Sequence, residues 1–330
     1  MWGIIGNESE VALLHGSISA GRWAHAYLIV GPEFSGKRAL GVQFAKALNC
    51  LNNDKPCGTC YQCVRINEGK HVDVFTIDIQ KEANAGVENS SQLAILRDIS
   101  RSLALTPVEG KVRVVIFDNA DRISNEAQNS CLKLLEEPPP NVVLMLLATN
   151  SHAVLNTLRS RCQLVTLNPV SFQSMMSYLV DVKLLPVDSA SVIASAAKGL
   201  PRLADYLVEN EGWQIELDIK FEQFAKMLDA SIPERLGMVP ILEQNTERSR
   251  EAIVQLLRLW MGWYRDMLIV KYGVDEGILY SQFNQRIEDL SCQASPSAVS
   301  DSIQAISVAI RNISMNANIR LSLERLVIEL

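Results

Sequence analysis

Two groups of residues in this chain have the types and spacing that chemistry requires: a loop bracketed by glycines and a cluster of cysteines. The loop is Gly31-Pro-Glu-Phe-Ser-Gly36-Lys37-Arg38, which follows an apolar run ending at Val30 and precedes a segment with helical periodicity. It nearly matches GxxxxGK[ST], in which backbone N–H groups and a helix N-terminus bind phosphates and the lysine reaches the terminal ones. The residues therefore predict a phosphate-binding loop.

Arg38 stands where that pattern has a serine or threonine, whose hydroxyl would hold magnesium. A guanidinium donates hydrogen bonds and cannot ligate a cation. We therefore expect phosphate binding at this loop without ordinary magnesium-dependent hydrolysis.

A second part of the same site is predicted at the end of the apolar run from Lys111 to Asp118. A carboxylate at the tip of a parallel strand approaches the magnesium shell beside a phosphate loop. Active ATPases with this strand pattern place a glutamate next, as the base that orients water, but here the next residue is Asn119, and an amide cannot accept that proton. Asp121 is the alternative base. Asn150, after the apolar run from Asn141 to Thr149, could either sense a terminal phosphate or cap the strand.

The second group comprises four cysteines after the first predicted helix: Cys50, Cys57, Cys60 and Cys63. Four thiolates on one short loop suit a tetrahedral structural zinc site with no open position for water. The alternatives are disulfides, which are disfavoured in a cytoplasmic chain, or unrelated buried thiols. His71 is either a substitute ligand or a turn residue before the next strand.

The composition excludes several classes of protein. The 330 residues are 48% hydrophobic and 21% charged, which is typical of a globular chain of two or three domains. Residues 1–168 carry 16 basic and 16 acidic side chains, so the net charge of −6 belongs to the remainder. Strong binding of nucleic acid by the isolated chain is not expected without a basic face. No apolar run is long enough to span a bilayer, and residues 1–8 lack a signal-peptide pattern, so a cytoplasmic location is predicted.

Hydrophobic periodicity divides the chain into two parts. Up to residue 168, apolar strand patterns alternate with helical ones, which predicts an α/β domain with a parallel sheet. Beyond Pro169 the patterns are helical only: three short helices up to Glu209, then long amphipathic ones from Trp213. This second part is predicted to be a scaffold or a partner surface.

These motifs, taken in order, resemble the delta-prime subunits of bacterial DNA polymerase III clamp loaders, which are AAA+ proteins. The resemblance covers almost the whole chain and is densest from residue 24 to 167. It is carried by the phosphate loop and the cysteine cluster together with the following segments: His25-Ala-Tyr27, Lys111 to Asp121, Leu134-Leu-Glu-Glu-Pro-Pro139, Ala148-Thr-Asn150, Ser160-Arg161-Cys162, Trp263-Tyr-Arg-Asp266 and Asn316 to Glu324.

The resemblance implies three domains: a RecA-like AAA+ domain (1–168) carrying the cysteine module (about 50–63), a helical lid (169–210) and an all-α collar (211–330) that holds a ring together. It implies that Arg161 acts in trans, as a finger on the ATP of a neighbouring motor subunit. Arg202 matches the second sensor position of the lid. The residual nucleotide site would comprise Gly31, Gly36, Lys37, Arg38, Asp118, Asn150 and Arg202.

The partners implied are the gamma/tau and delta subunits and, indirectly, the sliding clamp and primed DNA at a nucleoid-associated replisome. The cofactors implied are structural zinc and an ATP that is bound without being hydrolysed. Gamma and tau are the close alternative, but they require Ser or Thr at position 38 and Glu at 119. Two readings from other classes stay open: an autonomous P-loop ATPase, favoured by Lys37 and Asp118, and a zinc-dependent DNA-binding protein, favoured by the cysteines.

Overall fold

The computed structural model describes residues 2–78, 92–103, 105–210, 212–246, 249–273, 278, 280 and 283–330. Packing divides the chain into two compact units. The first comprises the residues up to Leu185 together with Gly199–Asp205, and the second comprises Pro186–Lys198 together with Tyr206–Leu330. The predicted boundaries at 168 and 210 stay a prediction.

Helices and strands alternate up to β5, and helices alone follow within the described residues. The elements in chain order are α1 Glu8–Ser19, β1 Ala26–Val30, α2 Lys37–Asn49, α3 Tyr61–Asn67, β2 Val74–Ile77, α4 Gln92–Leu103, β3 Arg113–Phe117, α5 Asn125–Glu136, β4 Val142–Ala148, α6 Asn156–Arg159, β5 Gln163–Thr166, α7 Phe172–Ser177, α8 Val187–Ala197, α9 Pro201–Glu209, α10 Trp213–Asp229, α11 Ile232–Asn245, α12 Arg250–Lys271, α13 Asn284–Gln293, α14 Pro296–Ser314 and α15 Ile319–Glu329.

The five strands form one parallel sheet in the order β2-β3-β4-β1-β5. Both faces are buried, as a parallel sheet requires: Tyr27 and Ile29 of β1 enter one core cluster, and Ala26 and Leu28 enter the other. The predicted α/β class with a parallel sheet is therefore confirmed. Because all strands run the same way, the carboxyl ends of β3, β4 and β1 lie side by side.

The second unit is helical throughout its described residues. Its core is aromatic: Phe221 and Phe224 of α10 pack against Trp260 and Trp263 of α12, with ring centroids 5.1 to 5.7 Å apart for the closest pairs. The prediction that this part of the chain consists of long helices is confirmed for the described residues. No described helix of either unit is long and apolar enough to cross a membrane.

The sequence was misleading at two places near the cysteines. Apolar and polar residues alternate from Val72 to Ile79, which predicts a strand over that range. The strand is limited to Val74–Ile77, and position 79 lies outside the described residues. The four cysteines were predicted to lie on one short loop, but Cys63 lies in helix α3, Tyr61–Asn67. The Cys, Gly, Pro and Asn residues up to Cys60 are typical of a loop, so the sequence did not indicate the short helix that begins after Cys60.

A buried ion pair fixes the edge of the sheet beside the cysteines. Asp73, just before β2, is fully buried and accepts hydrogen bonds from the backbone N–H groups of Val108, Glu109 and Gly110. The Arg113 guanidinium lies 2.7 Å from it. Burial by itself would raise the pKa of Asp73, but these hydrogen bonds hold it at about 2. The carboxylate thus stays charged and ties the segment before β2 to the start of β3.

Replacing Asp73 with Asn should destabilise the first unit by about 3–5 kcal/mol, because Arg113 would be left buried without its counter-charge. The folded-state pKa of Asp73 is depressed, so its contribution is complete above the unfolded value of 3.8 and is lost as the pH falls toward about 2. Denaturant midpoints should therefore separate wild type from Asp73→Asn most at neutral pH and least near pH 2. Asp98→Asn is the control, because the exposed Asp98–Arg101 pair contributes little. Equal midpoints for all three proteins at pH 7 would refute this role.

Candidate nucleotide and metal sites

The predicted phosphate loop joins β1 to α2, as its pattern requires. Gly31 N–H donates to the carbonyl of Ala148 in the neighbouring strand at 3.1 Å, which fixes the start of the loop. Gly36 has φ +93° and space around it, a conformation that favours glycine. Lys37 Nζ donates to the carbonyls of Gly31 and Pro32 at 2.6 and 2.7 Å. Burial lowers the pKa of Lys37, and the nearby Asp121, Asp118 and Glu33 oppose that shift.

Arg38 extends from the first turn of α2 toward the end of β3. Its Nη1 lies 4.0 Å from Asp118 Oδ2, and its side chain is 66% exposed. The structure therefore brings Arg38 and Asp118, which are far apart in the sequence, within ion-pair distance of each other at the start of α2 and the end of β3.

The residues after Asp118 are used in structural contacts. Asn119 has φ +54°, and its Nδ2 donates to Asp78 Oδ2 at 2.9 Å. Asp121 Oδ2 accepts from Thr149 Oγ1 and from the Thr149 N–H at 3.0 Å, so this oxygen fastens the turn after β3 to the end of β4. The Asn119 amide cannot accept a proton, whereas Asp121 keeps its Oδ1 buried without a hydrogen-bond partner within the described residues.

Two further predicted residues lie at the ends of neighbouring elements. Asn150 Oδ1 accepts from the His152 N–H at 2.9 Å, so it caps the 3₁₀ turn Ser151–Ala153 that follows β4. Arg202 donates its backbone N–H to the Phe34 carbonyl in the phosphate loop at 3.1 Å, and its Nη1 lies 3.0 Å from Asp205 Oδ2. The loop thus contacts Arg202 through the backbone, while the guanidinium is paired with Asp205.

Arg161 follows the short helix α6, and its contacts lie within its own neighbourhood. Nη1 donates to the Thr157 carbonyl at 2.9 Å, and Nη2 lies 3.0 Å from Glu136 Oε1 at the end of α5. The side chain is 38% exposed, so the guanidinium is accessible at the surface of the first unit.

The four predicted metal ligands do come together. The Sγ atoms of Cys50, Cys57, Cys60 and Cys63 lie within 4.8 Å of one another, and those of Cys50 and Cys60 are 4.0 Å apart. Zn–S bonds of about 2.3 Å in a tetrahedron place the sulfurs about 3.8 Å apart. The donor set and its spacing therefore fit zinc, and the four thiols are unbridged.

The environments of two of the thiols have opposite effects on their ionisation. The backbone N–H groups of Cys60 and Thr59, which point at Cys57, lower the pKa of that thiol to about 6, whereas burial raises the pKa of Cys63 to about 12. Cys57 is therefore ready as a thiolate, and Cys63 would give up its proton on binding a cation. His71 is no ligand: its Nε2 lies 2.7 Å from Gln62 Oε1, and its Nδ1 accepts from the Asp73 N–H.

Polar residues that the sequence patterns did not single out hold the cysteine module and helix α3 on the sheet. Asn49 Oδ1 accepts from the N–H groups of Lys111 and Val112 at 2.8 and 3.0 Å. Gln62 of α3 donates to the Glu109 carbonyl, and Arg65 lies 3.3 Å from the Glu109 carboxylate. The available signal was Asn49 itself, a polar residue directly after the mostly apolar stretch Phe44–Leu48.

The family of the chain follows from comparison with known sequences. A family model described as DNA polymerase III, delta subunit, matches residues 6–171, just over half of the chain. The chain belongs to this DNA polymerase III family. Together with the phosphate loop and the sheet order, membership confirms both the resemblance seen in the motifs and the predicted AAA+ fold class.

Two of the proteins that are similar to this polymerase III chain come from Bacillus subtilis. The DNA polymerase III subunit delta' is 25% identical over 96% of the chain and 94% of the relative. The subunit tau is 28% identical over 99% of the chain but only 60% of its own length. Among solved structures, a DNA polymerase III gamma subunit-related protein from Thermotoga maritima has a TM-score of 0.49 at 19% identity, covering 97% of each chain.

For this polymerase III chain, elemental analysis of the purified protein should find about one zinc per chain. Cys60→Ser should lose the metal and lower the thermal midpoint by several degrees, because metal binding is coupled to folding of the module. Cys292→Ser, at an exposed cysteine outside the cluster, should retain the metal. Well under one metal per wild-type chain would remove the zinc site.

Proposed function

We propose that the chain is a non-hydrolysing subunit of the bacterial DNA polymerase III clamp loader. In this role it supports ATP-dependent loading of the sliding clamp onto primed DNA, and the motor subunits gamma or tau supply the hydrolysis. The matched family and the delta' relative, which is covered over nearly its whole length, support the loader assignment.

The observation that carries the non-hydrolysing role is the contact of Arg38 with Asp118. A site for magnesium-dependent hydrolysis needs an oxygen ligand at position 38 and a base after Asp118. This chain has a guanidinium 4.0 Å from the carboxylate and the amide of Asn119 in place of the base. Two parts of the hydrolytic machinery are therefore replaced independently of each other.

Arg161 is the residue that we propose to act on a neighbour. A finger must be an accessible guanidinium on a fixed backbone, and Arg161 is exposed at the end of α6, held by Thr157 and Glu136. In an assembled loader it would leave Glu136 and balance the charge that develops on the phosphoryl group of the adjacent ATP. Such fingers supplied in trans contribute ~10³–10⁵ in rate.

The remaining parts of the proposal concern architecture and partners. The lid would comprise residues 169–210 and the collar 211–330, with the collar binding the gamma/tau and delta subunits. Zinc on the four cysteines would be structural. We place the assembly in the cytoplasm, at a nucleoid-associated replisome.

An autonomous motor of the tau type is the second candidate, because the tau relative matches 99% of the chain and Lys37 is retained. Arg38 and Asn119 argue against it, since each removes a group that turnover requires. Nucleotide binding without turnover is consistent with both the intact lysine and the altered neighbours.

In a reconstituted loader, Arg161→Ala should lower the DNA-stimulated ATP turnover while the complex still assembles, because the ATP site next to this subunit loses its finger. Turnover is measured as phosphate release, and assembly by size-exclusion chromatography. Arg101→Ala, which also removes an exposed arginine of the first unit, should leave turnover unchanged. Unchanged turnover in the Arg161→Ala loader would contradict the finger.

A further inference from the structure

The phosphate loop retains a built cradle although its metal ligand is missing. Gly36 keeps the open left-handed turn, and Lys37 begins α2 with its ammonium group on the loop carbonyls of Gly31 and Pro32. These are the parts of a phosphate loop that contact the anion directly, whereas the missing hydroxyl would contact only the metal.

One side chain inside the loop indicates a ligand independently of the loop geometry. Ser35 is only 4% exposed, and its Oγ is buried without a hydrogen-bond partner within the part of the chain that the structure describes. This Oγ lies beside the first residue of the loop, 2.9 Å from where a Cβ on Gly31 would stand. A buried hydroxyl without a partner costs free energy, so its presence indicates a group that is still to be bound.

A magnesium ion does not fit beside this cradle. Magnesium requires a near-octahedral shell of oxygen ligands at about 2.0–2.1 Å. The Arg38 guanidinium supplies no lone pair, and its Nη1 is 4.0 Å from the Asp118 carboxylate that would hold the ion. An ion bound to Asp118 would therefore face a permanent positive charge at close range.

We propose that Arg38 takes the place of the metal and that this loop binds a nucleoside diphosphate or triphosphate in its metal-free form. An arginine offers two parallel N–H donors that match the oxygens of a phosphate, which a lysine does not. The guanidinium at the start of α2 would supply the charge that magnesium supplies in an active site, and Lys37 would contact the same phosphate chain. The bound nucleotide then has neither a metal nor a base to activate water.

This binding is independent of the proposed loader function, because it concerns the chain's own loop and not Arg161. The expected dependence of nucleotide affinity on magnesium is the opposite of that of an ordinary nucleotide site. Magnesium withdraws free nucleotide into its complex, so the metal should weaken binding instead of strengthening it.

The test is isothermal titration calorimetry of the full chain with ATP, in excess EDTA and in excess magnesium. We expect binding in EDTA and an apparent affinity at least about tenfold lower in magnesium, because only the metal-free fraction of ATP is competent to bind. Arg38→Thr should reverse the order by restoring the hydroxyl, with about tenfold weaker binding in EDTA through loss of the charged hydrogen bonds. Lys37→Ala should remove binding in both buffers.

Arg22→Thr is the matched control, since it removes an exposed arginine outside the loop and should bind as wild type does. Tighter binding of wild type in magnesium than in EDTA would overturn the proposal, and so would absence of binding in both buffers. An unchanged order of affinities in Arg38→Thr would show that another group discriminates against the metal. Each of these failures would leave the Arg161→Ala result, and with it the loader function, untouched.

Discussion

The parallel register of the five strands is the constraint from which the candidate nucleotide site follows. Because β3, β4 and β1 are neighbours and run the same way, the phosphate loop, Asp118 and Asn150 all lie at the carboxyl edge of one sheet. The first turn of α2 then necessarily faces the tip of β3. In a hydrolysing protein that proximity would let a hydroxyl and a carboxylate share a metal. Here it places a guanidinium 4.0 Å from the carboxylate, and we propose that this arrangement excludes magnesium.

The opposite edge of the first unit shows how the cysteine module is joined to this sheet. The charged Asp73 carboxylate accepts hydrogen bonds from three loop amides and pairs with Arg113. Asn49 and Glu109 connect α2 and α3 to the segment that precedes β3. The thiols therefore lie on a base that is already fixed by buried hydrogen bonds. A metal bound there would join the loop that carries Cys50, Cys57 and Cys60 to helix α3 through Cys63.

Short-range patterns predicted the chemistry better than the framework that positions it. The phosphate loop and the cysteine spacing each lie within a few residues, so the sequence alone indicated them, and periodicity predicted the parallel sheet and the later helices. Helix α3 was missed because its start is masked by loop-forming residues. The Asp73–Arg113 pair and the approach of Arg38 to Asp118 join residues that are distant in the sequence, and periodicity carries no information on such pairs. Asn49, a polar residue at the end of α2, was a local signal of the contacts that join α2 to the segment before β3.

Our central proposal is that the chain has the fold of a nucleotide-hydrolysing domain but lacks the groups that activate water. The most direct test is phosphate release by the purified chain alone at saturating ATP and magnesium, compared with Lys37→Ala. We predict release at the background level for both proteins, since Arg38 and Asn119 leave neither a metal ligand nor a base. Steady turnover by the wild-type chain that Lys37→Ala abolishes would contradict the account.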